Sequence, residues 1–222
     1  MGFLYETHMH TSEVSACAVN TAMQQVATYK RKKYTGIIVT DHFINGYSTC
    51  PKSLPWEQKM RYFTSGYEEA KIAGDKIGLD VFFGWEYTIR GADFLTYGLD
   101  LEFLIANPNL DLLKIEEYSA LVRKNGGYIA QAHPYRDAYY IQHNYPVRPH
   151  LLDGVEVYNS YDADTANSRA YAFALDNDLP MQSGTDSHGR VDRDYRGIIL
   201  NEKAETIHDI INAIKSKKVE LI

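Results

Sequence analysis

The sequence has few of the features that mark membrane proteins or disulfide-stabilised proteins. It holds only two cysteines, Cys17 and Cys50, and no CxxC pair, so a disulfide framework is excluded and reduced thiols are expected. No run of about 18 apolar residues occurs. The N-terminal residues also lack a basic segment followed by an apolar stretch. We therefore expect a cytoplasmic protein with no membrane partner.

An excess of positive charge is also missing. The formal net charge of -6 argues against nucleic acid as the main partner, except as a nucleotide-type substrate. An acidic protein can still bind a small phosphorylated molecule if a cation lies in its site. The length of 222 residues and the hydrophobic fraction of 45% fit a single domain over residues 1–222.

Apolar runs of strand length alternate with segments of helical periodicity along the chain. The first strand is predicted at Phe3–Tyr5, and later strands at Gly36–Thr40, Leu79–Glu86, Asp93–Gly98, Tyr128–Pro134, Gly154–Asn159, 181–188, 197–200 and 219–222. Helices are predicted at 18–33, 56–78, 101–106, 115–124, 165–177 and 206–215. This alternation is typical of parallel β/α units, in a barrel or a doubly wound sheet.

Histidines and carboxylates collect at the ends of the predicted strands. Five of the eight histidines stand there, and acidic residues accompany them: His8, His10, His42, His133 and His188, with Glu13, Asp41, Glu86 and Asp186. In β/α architectures the carboxyl ends of the strands meet at one mouth. Nitrogen and oxygen ligands of this kind suit divalent transition metals, and their number exceeds the need of one zinc ion. The pattern therefore predicts a site for two or three ions.

Each of these motifs has an ordinary alternative when taken alone. His133-Pro134 can be a turn, and Glu86 can be a buried carboxylate paired with Arg90. Cys17 lies near the first two histidines and could be a metal ligand or a nucleophile. We favour the alternative that it is a small, buried hydrophobic residue. The joint occurrence of the strand-end motifs outweighs these alternatives and favours metal binding.

The order of the motifs resembles the PHP-domain (polymerase and histidinol phosphatase) metallophosphoesterases over nearly the whole chain. The matching segments are His8-Met9-His10-Thr11, Thr40-Asp41-His42, Gly84-Trp85-Glu86, Ala132-His133-Pro134 and Ser183-Gly184-Thr185-Asp186-Ser187-His188. The resemblance implies an α/β fold, a distorted (β/α)7 barrel of PHP type related to the TIM barrel. It also implies a metal cluster at the carboxyl-terminal mouth of that barrel.

The resemblance further implies which residues hold each ion. The first ion would be held by four residues: His8, His10, Glu86 and Asp186. Glu86 would bridge to a second ion held by His133, with Asp93 in place of a histidine that the family often has there. The third ion would be held by Glu13, His42 and His188, whereas Asp41 could orient a ligand. The ions would be zinc, manganese or iron.

The implied activity is that of a metal-dependent phosphoesterase, which hydrolyses a small-molecule phosphate ester with a metal-activated water. Glu86, Asp186 and His188 are expected to take part in catalysis, the last two as proton acceptors or donors. Arg136 is the first choice for contacting the substrate phosphate, because a guanidinium group matches phosphate oxygens. Arg190 and Arg148 are further choices.

Two other functions remain open from the sequence. An amidohydrolase-like enzyme could use the same metal cluster to cleave a C–N or C–O bond. A non-catalytic PHP module is the second alternative, since such domains also occur inside replicative polymerases. The loops Phe43–Pro55 and Tyr135–Pro149 would shape the substrate pocket in either enzyme.

Overall fold

The computed structural model describes residues 2–139, 141, 145–189 and 194–222. The strands within these ranges are β1 Phe3–Met9, β2 Gly36–Val39, β3 Asp80–Ile89, β4 Ala92–Tyr97, β5 Tyr128–Gln131, β6 Gly154–Asn159, β7 Met181–Gly184, β8 Ile198–Leu200 and β9 Glu220–Leu221. The helices are α1 Ala22–Arg31, α2 Trp56–Phe63, α3 Ser65–Ile77, α4 Leu101–Ala106, α5 Ile115–Lys124, α6 Asp164–Asp176 and α7 Ile207–Lys215. None of the helices in these ranges has the length and apolar character that crossing a membrane requires.

The described strands form one mixed sheet in the order β7-β6-β5-β4-β3-β2-β1-β8-β9. β1, β2 and β3 pair in parallel, as do β5, β6 and β7, whereas β4 pairs antiparallel with both β3 and β5. Because β4 is antiparallel to both neighbours, these six parallel strands all run in the same direction. Their carboxyl ends therefore lie at the same end of the sheet, as the sequence predicted.

The sheet curves until its two sides meet, so that it is nearly closed into a barrel. The segment after β7 reaches β1, where the Asp186 backbone N–H donates to the His8 carbonyl at 2.7 Å and Met9 bridges Ser187 in parallel. Across the interior, the Tyr97 hydroxyl of β4 donates to the Thr7 carbonyl of β1 at 2.7 Å. Strands that are far apart in the sheet order thus contact each other through the barrel.

β3 and β4 form a hairpin that the sequence did not predict. The strand predicted to end at Glu86 continues to Ile89, and two residues, Arg90 and Gly91, connect it to β4. Both have positive φ angles, 51° and 83°, which is the backbone that a tight two-residue hairpin requires. Antiparallel pairing of β4 interrupts the regular β/α alternation, and the count of seven units stays a prediction.

The helix predicted over 56–78 is divided at Thr64 into α2 and α3. The division allows the start of α3 to lie against the loop after β1. A Cβ atom on Gly66 would lie 2.2 Å from Thr11 Oγ1 and 2.6 Å from Asp41 Oδ2, so only glycine permits this contact. The break therefore brings the helix directly behind the loop that carries His10.

Candidate metal centre

The first three histidines are placed by β1 and β2. His8 lies near the end of β1 and His10 just beyond it, and both are fully buried. The pairing register of β1 with β2 shifts between Glu6 and Met9, so the strand carries an irregularity beside His8. His42 comes three residues after the end of β2 and bridges Glu86 of β3.

The β3–β4 hairpin brings Asp93 to the same end of the barrel. Parallel pairing of β3 with β2 extends to Phe83, and Glu86 lies beyond it at the mouth. Because β4 runs antiparallel to β3, its first residues lie beside the end of β3, and Asp93 pairs with Thr88. The Thr88 hydroxyl donates to Asp93 Oδ1 at 2.6 Å and orients the carboxylate.

His133 and Asp186 follow β5 and β7 in an uncommon backbone conformation. Their φ angles are 29° and 56°, in the left-handed region that residues other than glycine rarely adopt. For His133 the strain is greater because a proline follows it. Strained backbone is concentrated at functional sites, where the surrounding structure maintains it. His133 is held by its backbone N–H, which donates to Glu156 Oε2 at 3.1 Å.

Five side chains form what we call the carboxylate-rich group: His8, Glu86, Asp93, His133 and Asp186. Glu86 Oε1 lies 3.1 Å from His133 Nε2 and 3.3 Å from His8 Nε2. Asp186 Oδ1 lies 3.4 Å from His8 Nε2, and Asp93 Oδ2 lies 3.9 Å from His133 Nε2. Two ligands that are each about 2.1 Å from an ion are separated by about 3 Å. The spacing of these atoms therefore suits ligands of a shared cation.

Three further side chains, His10, His42 and His188, form what we call the imidazole-rich group. The His10 ring stacks between the other two, with ring centroids 4.4 Å from His42 and 4.3 Å from His188. One ring nitrogen of each histidine lies within 4.8 Å of the others. Glu86 Oε2, 2.7 Å from His42 Nδ1 and 3.6 Å from His10 Nε2, joins this group to the carboxylate-rich group.

Glu156 of β6 orients the buried side of the site, and the sequence analysis missed it. Its Oε1 lies 2.9 Å from His8 Nδ1, and its Oε2 accepts hydrogen bonds from the His133 backbone and the Asn159 amide. The carboxylate thus holds the Nδ1 proton of His8 and turns Nε2 toward the cluster. An acidic residue inside a strand that is buried on both faces, Gly154–Asn159, was the available signal.

Asp41 orients His10 through Ser15. The Ser15 hydroxyl donates to Asp41 Oδ1 at 2.7 Å, and it accepts from the His42 backbone N–H at 3.0 Å. Its single proton is used by Asp41, so the His10 Nδ1 atom, 3.1 Å away, must be the donor in their contact. The Nε2 atom of neutral His10 therefore carries a lone pair that faces the cluster.

The pKa values of the two adjacent histidines are shifted in opposite directions. Burial and the neighbouring imidazoles of His188 and His42 hold the pKa of His10 well below its usual value. Burial lowers the pKa of His8, but Asp186 and the other nearby carboxylates outweigh it and raise that pKa well above its usual value. The two Nε2 atoms are 3.2 Å apart, so the gap between them needs positive charge, from a proton or a metal ion.

The charge and the unpaired atoms of the cluster both fit bound cations. Four carboxylates, Glu86, Asp93, Asp186 and Glu156, are buried or nearly buried in the cluster, and among the described residues Arg136 pairs with Asp186. Glu86 Oε2 is buried without a hydrogen-bond partner, although it lies 2.7 Å from a ring nitrogen. Buried charges of one sign require a compensating partner. The nitrogen and carboxylate donors fit zinc, manganese or iron.

Glu13 contacts the start of α1. Both of its carboxylate oxygens accept the backbone N–H of Ala22 at 3.0 Å, at the first turn of α1. That turn has no acidic residue of its own, so Glu13 compensates the positive end of the helix dipole. Glu13 also belongs to none of the groups of convergent metal-ligating atoms among the described residues. The assignment of Glu13 to a third ion stays a prediction, although in this arrangement its carboxylate lies at the start of α1.

The three predicted substrate arginines differ in their positions. Arg136 binds Asp186 Oδ2 at 2.8 Å, Asp162 at 2.7 Å and Asn159 at 2.7 Å, so it holds a carboxylate of the cluster. Contact of Arg136 with a phosphate stays a prediction. Arg148 is exposed directly before a short 3₁₀ helix, and Arg190 lies outside the described residues.

Comparison with known proteins places this site in a known fold. No family model and no curated protein matches the sequence. Among solved structures, a two-domain protein from Bacteroides vulgatus that contains a predicted PHP-like metal-dependent phosphoesterase matches 100% of the chain, with a TM-score of 0.77 and 16% identity. The chain spans 65% of that protein's length.

Two other solved structures carry different activities on a similar fold. An amidohydrolase from Chromobacterium violaceum, with bound sulfate and no metal, has a TM-score of 0.62 and 14% identity, with 97% of each chain covered. A lesion-specific endonuclease from Pyrococcus furiosus has a TM-score of 0.60 and 14% identity, over 100% of this chain and 58% of its own. These neighbours confirm the predicted resemblance at the level of the fold: the chain has the barrel of the PHP-like metal-dependent phosphoesterases.

Proposed function

We propose that residues 1–222 form a single PHP-type metallohydrolase domain that hydrolyses small phosphate esters in a site for two or three divalent ions. The observation that carries the proposal is the convergence of buried imidazole and carboxylate donors at one end of the barrel. Solved neighbours named as metal-dependent phosphoesterases support the same conclusion. The fold alone would not, because one fold hosts many activities.

The proposed ligands follow from the two groups described above. His8, His10, Glu86 and Asp186 would hold one ion, and Glu86, His133 and Asp93 a second. Bound ions would supply positive charge that neutralises phosphate oxygens and acidifies a water molecule. Asp93 would take the place of the missing histidine.

The proton chemistry is divided between two residues. His8 and Arg136 outweigh the effect of burial and hold the pKa of Asp186 well below its usual value, so Asp186 stays ionised and serves as an acceptor and ligand. His188 donates its Nδ1 proton to the Asp186 carbonyl at 2.8 Å, and its side chain is 15% exposed. His188 would be the proton donor for the leaving oxygen when its Nε2 atom holds a proton and no ion.

A second candidate function is hydrolysis of an amide or ester bond with the same cluster. The amidohydrolase neighbour favours it, since it shares the fold over nearly its whole length. Because one structural neighbour is an endonuclease, phosphodiester bonds of nucleic acid should also be tested as substrates. The formal net charge of -6 makes nucleic acid a less favourable partner.

A substrate panel with the metal-loaded protein separates these functions. The protein would be loaded with zinc, manganese or iron and assayed for phosphate release from phosphate monoesters, cleavage of oligonucleotides and hydrolysis of amides. We expect metal-dependent release of phosphate from small monoesters, abolished by a chelator and restored by the metal. Turnover of amides alone, or no turnover with any of the metals, would contradict the proposal.

A further inference from the structure

The junction at which the barrel closes, which we call the seam, carries four of the proposed ligands. Its first side is the end of β1, with His8 and His10, and its second side is the segment 185–188, with two more. The Asp186 backbone N–H donates to the His8 carbonyl at 2.7 Å, and the His10 N–H donates to the Ser187 carbonyl at 3.0 Å. The distances between ligands on the two sides therefore depend on how these segments are held together.

Glu6 joins both sides of the seam through one carboxylate oxygen. Its Oε1 atom accepts the backbone N–H groups of Thr7 at 3.0 Å, His8 at 2.9 Å and Thr185 at 2.9 Å. The pairing of β1 with β2 shifts in this part of the strand, so the carboxylate satisfies N–H groups where the ladder is irregular. The same oxygen therefore contacts the backbone of His8 and of the residue directly before Asp186.

The Glu6 side chain is fully buried and is held by hydrogen bonds. Its second oxygen, Oε2, accepts the Tyr29 hydroxyl of α1 at 2.8 Å, in addition to the three bonds to Oε1. A buried carboxylate is costly unless donors compensate it, and this one has four. Glu6 also belongs to none of the groups of convergent metal-ligating atoms among the described residues. These contacts fit a carboxylate that fixes the backbone and not one that binds an ion.

Gln25 of α1 joins the same two sides at another point. Its side chain is fully buried, and its Nε2 atom donates to the His10 carbonyl at 2.8 Å and to the Ser187 carbonyl at 3.1 Å. An amide nitrogen has two protons, so it can hold both carbonyls at once. One carbonyl belongs to a proposed ligand, and the other belongs to the residue between Asp186 and His188.

We propose that Glu6 and Gln25 are positioning residues that hold the two sides of the seam at the spacing that metal binding requires. The inference rests on the proposed metal cluster, and neither residue is a ligand in it. Partners that orient metal ligands typically change the metal affinity by about 10-fold to 100-fold when they are replaced. A merely structural role would lower the free energy of unfolding and leave the metal affinity unchanged.

Cobalt binding to a Gln25→Leu variant tests this proposal. Leucine is of similar size but donates no hydrogen bond, so the two carbonyls are no longer held together. The full chain would be freed of metal with a chelator and titrated with Co²⁺, whose visible spectrum depends on the arrangement of its ligands. We expect the affinity for cobalt to fall by about 10-fold to 100-fold and the visible bands to change.

Val26→Ala is the matched control for stability, because it removes apolar atoms at a buried position of the same helix. It should lower the urea midpoint of unfolding but leave the cobalt affinity and the spectrum unchanged. An unmodified affinity and spectrum in Gln25→Leu, with lowered stability alone, would overturn the positioning role of Gln25.

Two replacements of Glu6 test its part in the same titration. Glu6→Gln keeps an oxygen acceptor for the three backbone N–H groups, so its cobalt affinity should stay close to that of the unmodified protein. Glu6→Met has a similar length but no such acceptor, and its affinity should fall by about 10-fold or more. Equal affinity of all three proteins, or equally weak binding by both variants, would overturn the role of Glu6 as the acceptor.

Should Glu6→Met fail to fold, the comparison of Gln25→Leu with Val26→Ala decides the proposal. Each of these contrary outcomes would leave the proposed function intact. Failure of the unmodified protein to bind cobalt or zinc would overturn both.

Discussion

The carboxylate-rich and imidazole-rich groups occupy one end of the same barrel but differ in charge and exposure. In the carboxylate-rich group the side chains of His8, Glu86 and Asp186 are at most 2% exposed and that of Asp93 is 14% exposed. In the imidazole-rich group His10 is fully buried, and His42 and His188 are 14% and 15% exposed. The carboxylate-rich group contains three carboxylates, and the imidazole-rich group contains none. Oxygen-rich ligands suit ions such as manganese, and imidazole ligands also suit zinc.

The two groups are also held by different partners. Glu156, a buried carboxylate of β6, orients His8 in the first group. In the imidazole-rich group, Ser15 is hydrogen-bonded to both Asp41 and His10, so Asp41 orients His10 through the serine hydroxyl. The two groups can therefore be perturbed separately by replacing the residues that orient them.

Replacing His10, which belongs to one group and contacts the other, should have the largest effect. We expect His10→Ala to lose metal and to reduce kcat/KM by more than about 10³-fold, as the loss of several kcal/mol of metal-based stabilisation implies. Circular dichroism should show that the fold persists. His208→Ala, on the exposed side of α7, should retain activity. Full turnover by the His10 variant would show that the cluster is wrong.

Asp93→Asn tests the carboxylate-rich group by itself. The variant keeps the shape of the side chain but removes the charge that faces His133, so we expect loss of one ion and a fall in activity of about 100-fold or more. An unchanged metal content in elemental analysis would show that Asp93 is not a ligand.

Glu156→Gln should weaken the same group indirectly. Loss of the charge that holds the Nδ1 proton of His8 is expected to reduce metal affinity between about 10-fold and 100-fold, while the number of ions at saturation stays constant. Competition with a chelator measures this affinity. Glu116→Gln, an exposed change on α5, is the matched control and should leave the affinity unchanged.

Glu13→Ala should produce the smallest effect, and only on stability. Removal of the carboxylate at the start of α1 is expected to cost about 1 kcal/mol in the free energy of unfolding. Urea denaturation measures this cost. Elemental analysis should find the same metal content as in the unmodified protein. A decrease of one ion per chain would support the assignment of Glu13 to the cluster.

The residues at the strand ends were predictable because an apolar run marks each strand in the sequence and the parallel fold brings the strand ends together. His8, His10, His133 and Asp186 follow apolar runs, and parallel strands bring such ends together. Asp93 was predictable only as a replacement for a missing histidine. Its actual route into the site, an antiparallel hairpin with a two-residue turn, requires positive φ angles at Arg90 and Gly91 that the sequence indicated weakly.

Apart from Asp41, the residues that orient the ligands were not predictable from local pattern. Ser15 is an ordinary loop serine until Asp41, His42 and His10 surround it. The same applies to Glu13, whose carboxylate accepts the Ala22 backbone N–H at the start of α1. The division of the long helix at Thr64 likewise depends on tertiary contact, since no proline marks it.

Anomalous diffraction from a crystal of the zinc-loaded protein tests the central claim most directly. Data collected on both sides of the zinc absorption edge locate each ion and identify the metal. We expect one peak among His8, His10, Glu86 and Asp186, and another between Glu86, Asp93 and His133. Absence of zinc from both positions in crystals of the loaded protein would contradict the claim that this end of the barrel is a metal centre.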